Sequence, residues 1–450
     1  MAPKKACLIT FGCQMNEYDS GRLADLLTAA GWTMTDSRDT ADFIFFNTCS
    51  IREKAAQRLL NHVEQVRSLK KKKPGLIIGV GGCVAEQEGE KLLTDAPWLD
   101  LVVGPQHLPT IPDLLEKLTA KTETGRAATG SGRRPAWSRE NLAELGRDDG
   151  SRTEAGGLIG FVTIMQGCNN YCTYCVVPYL RGPELSRGAG DIIDEVKRLI
   201  DNGVKDLTLL GQNVNSYGLG QSGEPTFPEL LEKVAATGIE RLRFTTSHPK
   251  DFPPELVRLF GSLGPLCEGL HLPVQSGSDK VLKDMRRVYT RDSYLRLVDD
   301  LRTQCPGLSL TTDIIVGFPG ETEKDFEDTV SLLDTVGYDA MFSFKYSDRP
   351  QTRSAAFENK VPEEEKGRRL TYLQTRQKDI TLAKNAAHVG QVLEVLVERE
   401  SDRYENQLTG RARNFKLIHF DGSPELIGRT VPVRVEEAWG ASLRGVRAEK

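Results

Sequence analysis

Short apolar runs alternate with polar-periodic stretches over the first hundred or so positions. ACLITF, DFIFFNT, LIIGVGG and LDLVVG are strand-like, while YDSGRLADLLTAAG and IREKAAQRLLNHVEQV carry apolar residues at helical spacing. That alternation predicts βαβ units around a parallel sheet. From about Thr119 to Gly157 the chain turns to TAKTETGRAATGSGRRPAW and RDDGSRTEAGG, which have no apolar period and predict an exposed connector. Six strand candidates follow, FVTIMQ, DLTLLG, RLRFTT, GLHLPV, LSLTTDIIVG and AMFSFKYS, most of them separated by helical segments. They predict a partial β/α barrel or an open α/β sheet. Segment 363–388 has helical composition. Beyond it VLEVLVERE, LTGRARN, KLIHF and TVPVRVEEAW are short strands split by polar turns, which predicts a small antiparallel barrel of about 60 residues. The resulting division is 1–118, a linker over 119–156, then 157–387 and 388–450.

Totals sharpen this picture. At roughly 150 residues per domain, 450 residues predict about three domains. With 39% hydrophobic and 27% charged residues, and no run near the roughly 20 apolar residues a bilayer span needs, no membrane segment is expected. The start, MAPKKACLITFG, lacks the length and cleavage site of a secretory signal, so a cytoplasmic protein is expected. In that reducing compartment nine cysteines predict metal ligation or redox chemistry rather than disulfides. A net charge of -4 does not suggest phosphate binding overall, so any RNA contact must come from local patches.

The strand FVTIMQG runs into Cys168, Cys172 and Cys175, a CxxxCxxC loop. Three thiolates this close can converge on one soft-metal centre. Zinc would want a fourth protein ligand, and no Cys or His follows within the next dozen residues. A 4Fe-4S cluster on three cysteines leaves one iron open for the amino and carboxylate groups of a reactant. A second set, Cys13, Cys49 and Cys83, stands just past three predicted parallel strands. Loops at the carboxyl ends of such strands share one edge, so these cysteines are expected to meet and hold a second cluster. Gly12, Gly81 and Gly82 would let backbone approach it closely. Cys7, Cys267 and Cys305 show no such pattern and are expected to be non-ligating.

The CxxxCxxC spacing, with Tyr174 before the last cysteine, resembles the radical S-adenosylmethionine superfamily. Over essentially its whole length the chain resembles the methylthiotransferases of the MiaB type. The resemblance is carried by 12–20 (GCQMNEYDS), 47–55 (NTCSIREKA) and Gly82-Cys83. It continues through Arg181-Gly182, Glu184, Ser186-Arg187, 210–214 (LGQNV), 247–249 (SHP), 271–277 (HLPVQSG) and 313–321 (DIIVGFPGE). The related RimO type, which modifies a ribosomal-protein aspartate, carries Pro-Lys where Gln14-Met15 stand. Pro183 and the run 346–353 (YSDRPQTR) depart from the family pattern.

The resemblance implies an amino-terminal parallel-sheet α/β domain, a central partial (β/α)6 barrel and a carboxyl-terminal TRAM barrel associated with RNA. It implies a transferase that methylthiolates C2 of N6-isopentenyladenosine at position 37 of tRNA, next to the anticodon. Two 4Fe-4S clusters would serve it, and S-adenosylmethionine would be both radical source and methyl donor. Alternative substrates are a ribosomal-protein aspartate and threonylcarbamoyladenosine in tRNA. The expected partners are tRNA, a low-potential electron donor such as a flavodoxin or ferredoxin, and a sulfur or cluster supply protein. Tyr174, Gly211, Gln212, Asn213, Ser247 and Gln275 are the expected S-adenosylmethionine contacts, as small residues and neutral amides at strand ends. Arg411, Arg413, Asn414, Phe415 and Lys416 interleave charge with an aromatic and are candidates for RNA contact. His271 is expected to be structural. The run Arg67 to Lys73 reads as a solvated helix end with phosphate contact as the alternative.

Overall fold

The strand Phe43–Thr48 is buried along its whole length, and its side chains divide by parity. Ile44 and Phe46 pack into one apolar cluster with Ile78, Val80 and Val102, while Phe43 and Phe45 pack into another with Ile77, Leu101 and Val103. A strand alternates its side chains between faces, so apolar residues at every position mean a sheet covered on both sides. Six parallel strands build that sheet: β1 (Lys5–Phe11), β2 (Thr33–Met34), β3 (Phe43–Thr48), β4 (Ile77–Gly82), β5 (Leu101–Val103) and β6 (Ala127–Thr129). Their order is β2-β1-β3-β4-β5-β6. Leu59, Val63 and Val66 of the helix Glu53–Lys72 cover one face. Leu23 and Leu27 of Gln14–Ala29 and Leu115 of Ile111–Thr119 cover the other.

The computed structural model describes residues 3–12, 14–49, 53–120, 127–129, 153–154, 157–401 and 404–448. The chain folds as two units, one of Met1–Arg152, Met165–Asn169 and Val176–Asp191, the other of Thr153–Ile164, Asn170–Cys175 and Ile192–Lys450. The connector expected over 119–156 contributes β6 as an edge strand and β7 (Thr153–Glu154). Its apolar pattern gave no sign of either, because both are too short to show a period.

All six strand candidates of the central region form. β8 (Ile159–Thr163) leads into a short hairpin of β9 (Met165–Gln166) and β10 (Leu185–Ser186), which belongs to the first unit. In the second unit β8 pairs in parallel with β11 (Asp206–Leu210), and β11 with β12 (Arg241–Phe244). β13 (Gly269–His271), β14 (Ser309–Val316) and β15 (Ala340–Lys345) form a second parallel group. Among the described residues only an isolated parallel bridge, Leu242 to Leu266, extends from β12 toward the second group, so the six strands form two hydrogen-bonded sets of three. The helix Glu363–Ala386 precedes a closed barrel of β16 (Val392–Glu400), β17 (Gln407–Ala412), β18 (Leu417–Asp421), β19 (Thr430–Ala438) and β20 (Leu443–Arg447). Its neighbour pairs are antiparallel as expected except β18 with β20, which close it in parallel. Among the described residues no helix is long and apolar enough to cross a membrane.

Candidate cofactor site

The parallel ladder sets where the first cysteines lie. Phe11 pairs with Thr48 and Thr48 with Gly82, so three strand ends stand side by side, about 4.8 Å apart. Cys49 and Cys83 follow directly and are both buried. The Cys49 amide donates to the Phe11 carbonyl at 3.1 Å. A Cβ placed on Gly12, at φ 149°, would stand 2.6 Å from the Cys49 Cβ, so only glycine fits just before Cys13. Cys13 itself lies outside the described residues. Gly81, expected to open backbone toward a cluster, instead makes room for a ring, because its Cβ would stand 2.2 Å from Phe45 Cζ.

A buried polar network braces these strand ends. Asn16 Nδ2 donates to Asn47 Oδ1 and to the Thr48 carbonyl, both at 3.2 Å. Asn47 Nδ2 returns bonds to the Asn16 carbonyl at 2.8 Å and Ser20 Oγ at 3.0 Å. In the same unit Cys83 packs against Val176 and Leu180, which follow Cys175 in the chain. Arg181, buried, donates to Asp19 at 2.9 Å and to Gln166 at 3.2 Å. The Cys168 amide donates to the Gly182 carbonyl at 3.1 Å. A Cβ on Gly167 would strike the Pro183 carbonyl oxygen at 1.9 Å, so the departure at Pro183 lies at the tightest point of this hairpin.

In the second unit the loop carrying Cys172 and Cys175 is clamped at Thr173. The Thr173 amide donates to the Met285 carbonyl at 3.1 Å, its hydroxyl to the Asp284 carbonyl at 2.8 Å, and its carbonyl accepts from the Ser354 amide at 2.9 Å. Ser354 also accepts from the Tyr346 hydroxyl, so the departing run after Tyr346 bears on the cysteine loop. Tyr174 packs against a cluster of Val281, Met285, Phe318 and Tyr346. Among the described residues no three His, Cys, Asp or Glu side chains are gathered to hold a metal ion. The buried Cys172 sulfur accepts from the Arg287 guanidinium at 3.6 Å, a donor of the kind that orients a ligating sulfur.

At the carboxyl ends of β11 and β12, several buried polar atoms have no partner among the described residues. They are Asn213 Oδ1, both side-chain atoms of Asn215, Ser247 Oγ and His248 Nε2. Stranding such groups costs about 1–3 kcal/mol each, so a cluster of them marks a place prepared for a ligand. His248 Nδ1 accepts from the Lys250 amide at 3.3 Å, which leaves the ring proton on Nε2. Burial, helped by Arg287 and Lys250, pushes its pKa down to about 2, so the ring is neutral. Thr246 at φ 69° and Gln275 at φ 72° hold left-handed backbone at the ends of β12 and β13, and such strain concentrates at binding sites. Gly211 and Gln212 follow β11 directly. One run of contacts joins the shelf to the cysteine loop: Arg287 reaches Cys172, the Tyr289 hydroxyl accepts from Arg287 at 2.9 Å, and the Tyr289 ring stands edge-on to His248 at 5.7 Å. Sequence reasoning gave no role to Arg287, Asn215 or His248. Each stands singly in the chain, and only the strand-end position of His248 beside Ser247 signalled it.

The RNA candidates on the small barrel have another occupation. Arg413 binds Glu268 through Nε and the Gly264 and Leu266 carbonyls through Nη2. Lys416, buried, binds Asn385 at 2.8 Å and Asp339 at 2.7 Å. Phe415 lies under the Arg243 guanidinium, 4.2 Å from its ring centre. Arg411 pairs with Glu398, and its carbonyl and that of Arg413 accept from Arg241 and Arg243. These residues dock the barrel onto the amino-terminal ends of β12 and β13, an occupation within the protein that the expectation of RNA contact did not include. In the lysine run Lys73 pairs with Asp42, Lys70 with Asp100, and Arg67 covers Trp98, as a solvated helix end would. His271 has Thr311 at 2.9 Å and Asp313 at 3.4 Å, as expected of a structural histidine.

Comparison with known proteins agrees with this architecture. Residues 5–104 match UPF0004, described as an uncharacterized protein family; 162–333 match the radical SAM superfamily and 386–446 the TRAM domain. The tRNA-2-methylthio-N(6)-dimethylallyladenosine synthase of Geotalea uraniireducens is 46% identical over 449 residues, 97% of each chain. That of Syntrophobacter fumaroxidans is 47% identical over 445 residues, 99% of this chain and 96% of the relative. The solved structure of TsrM from Kitasatospora setae, a radical S-adenosylmethionine methyltransferase with cobalamin and a 4Fe-4S cluster bound, aligns with TM-score 0.59 at 16% identity. It covers 78% of this chain and 74% of that one, a likeness of fold alone. With near-half identity running from end to end through all three regions, the chain belongs to the family of tRNA-2-methylthio-N(6)-dimethylallyladenosine synthases.

Proposed function

We propose that this chain attaches a methylthio group to C2 of N6-isopentenyladenosine next to the anticodon of tRNA, with S-adenosylmethionine as radical source and methyl donor. The observation that carries the reading is the shelf of partnerless buried polar atoms on Asn213, Ser247 and His248, joined through Tyr289 and Arg287 to Cys172. The name of its relatives, tRNA-2-methylthio-N(6)-dimethylallyladenosine synthase, supports the substrate. Cys168, Cys172 and Cys175 would hold one 4Fe-4S cluster, and Cys13, Cys49 and Cys83 a second. When bound and reduced, the former would supply one electron to the sulfonium of S-adenosylmethionine, which would part into methionine and a 5'-deoxyadenosyl radical. Asn213, Ser247, His248 and Gln275, with Gly211, Gln212 and Tyr174, would orient S-adenosylmethionine. His248, held neutral, offers an Nε2 proton without setting another cation against the sulfonium.

The Thr173 clamp would keep the cysteine loop in place while the base binds, and burial of Cys172 would exclude water from its sulfur. The domain scheme 1–118, 157–387 and 388–450 would divide these tasks among auxiliary cluster, radical chemistry and RNA contact. We place the enzyme in the cytoplasm, served by a flavodoxin or ferredoxin and by a protein that supplies sulfur or clusters. Nucleoside analysis of tRNA from a strain lacking the gene should lose 2-methylthio-N6-isopentenyladenosine, and the gene supplied in trans should restore it. An unchanged nucleoside profile rejects the reading.

A further inference from the structure

Arg287 is buried, and its partners are the Tyr289 hydroxyl at 2.9 Å, the Pro273 carbonyl at 2.8 Å and Cys172 Sγ at 3.6 Å. No carboxylate pairs with it among the described residues. A guanidinium stays charged, and a buried charge is costly unless an opposite charge lies near it. The group placed to supply that charge is the Cys172 sulfur as thiolate, within a thiolate-ligated cluster that is negative overall.

The backbone makes this placement deliberate. Arg286 and Val288 both adopt left-handed φ, 59° and 57°, and Val288 is 71% exposed. A β-branched residue in that region is strained, so the loop is held against its preference. With strained residues on either side, Arg287 points inward while Val288 points out. The same loop fixes the cysteine segment, because the Thr173 amide and hydroxyl bond the Met285 and Asp284 carbonyls. One loop thus positions the ligand backbone and brings a fixed positive charge to the ligand sulfur.

Resting on the cluster reading above, we infer that Arg287 is a positioning residue that donates to the Cys172 thiolate and raises the reduction potential of the cluster held there. Hydrogen bonds and charge at the ligating sulfurs set the potentials of iron-sulfur clusters. Reduction adds one electron and makes the cluster more negative, so a buried cation beside a ligand favours the reduced form. The electron comes from the external low-potential donor.

The test uses the full chain with Cys13, Cys49 and Cys83 all changed to Ala, reconstituted without oxygen and without S-adenosylmethionine, so that one cluster is read. Its one-electron potential is measured by redox titration followed by electron paramagnetic resonance in the parent, Arg287→Gln and Arg287→Lys. Arg287→Gln should shift the reduction equilibrium about tenfold or more toward the oxidised form, about 59 mV more negative. Arg287→Lys, which keeps the charge, should stay near the parent. A loaded Gln variant with the parent's potential overturns the inference, as does a loaded Lys variant shifted as far as Gln. If Gln does not retain iron, the Lys variant decides alone: a potential near the parent's supports the inference, and one about 59 mV or more below it overturns the inference. A parent that forms no cubane rejects the cluster reading itself, a different failure from an unmoved potential.

Discussion

A buried hydroxyl without a partner costs folding free energy, and Ser247 carries one at a strand end. If that hydroxyl serves the protein, removing it should destabilise; if it serves a ligand, stability should hold or rise slightly while binding weakens. We therefore expect Ser247→Ala to unfold no earlier in denaturant than wild type and to bind S-adenosylmethionine about 5- to 10-fold more weakly, about 1 kcal/mol. Calorimetric titration of the reconstituted protein beside urea unfolding checks both halves, and unchanged affinity with lost stability would remove Ser247 from the site. At this scale the sequence was legible where chemistry dictates spacing. Cys168, Cys172 and Cys175 stand out because thiols that are near neighbours on one loop can converge on one centre, as our proposal has them do. Arg287 was not legible, since its meaning depends on two left-handed neighbours turning it inward. His248 was only half legible, because its free Nε2 follows from the Lys250 amide taking Nδ1.

Elements were read more surely than their contacts. Strands of a sheet covered on both faces must be apolar throughout, so β3 and β4 announce themselves, and every central strand was found. Which surface an element presents to its neighbours depends on pairing far along the chain, and the run 411–416 gave no sign of its partners within the protein. A basic and aromatic run on a β-ribbon looks alike whether it meets RNA or an acidic strand end. In the fold, Glu398, Glu268 and Asp339 supply carboxylates to Arg411, Arg413 and Lys416, and Gly269 leaves the room that Phe415 fills; a Cβ there would stand 2.1 Å from its ring. This docking makes a prediction that separates the two roles. Arg243 and Asp206 are both buried, and breaking a buried ion pair costs about 3–5 kcal/mol, so Arg243→Ala should lower the stability of this unit by that order. Arg434→Ala, at a site 57% exposed, should change stability by less than about 0.5 kcal/mol. Chemical denaturation of the apo-protein gives both values. If Arg243→Ala proved as harmless as Arg434→Ala, the barrel would be held by something other than these anchors.

Over the whole molecule, the alternation of strands and helices revealed the sequence of regions, yet the two units do not follow it. Residues 165–169 and 176–191 fold with the amino-terminal unit because Arg181 pairs with Asp19 and Val176 and Leu180 pack on Cys83, contacts between positions far apart in the chain. No local pattern encodes such an association. Cys49 and Cys83 stand at strand ends braced by the Asn16–Asn47 network, Cys168 bonds Gly182 in the same unit, and Cys172 lies beside Arg287 and the Thr173 clamp. Under the two-cluster proposal, removing one set should leave the other able to load. We expect the triple change of Cys13, Cys49 and Cys83 to Ala, and that of Cys168, Cys172 and Cys175, each to retain about half of the wild-type iron and sulfide after anaerobic reconstitution. The price of the first change is modest, since Cys83→Ala withdraws one sulfur from Val176 and Leu180, on the order of 1 kcal/mol. Only the second change should abolish formation of 5'-deoxyadenosine. If either variant lost all its iron while remaining folded by circular dichroism, the two sets would not be independent tripods, and the two-cluster proposal would give way to a single shared centre.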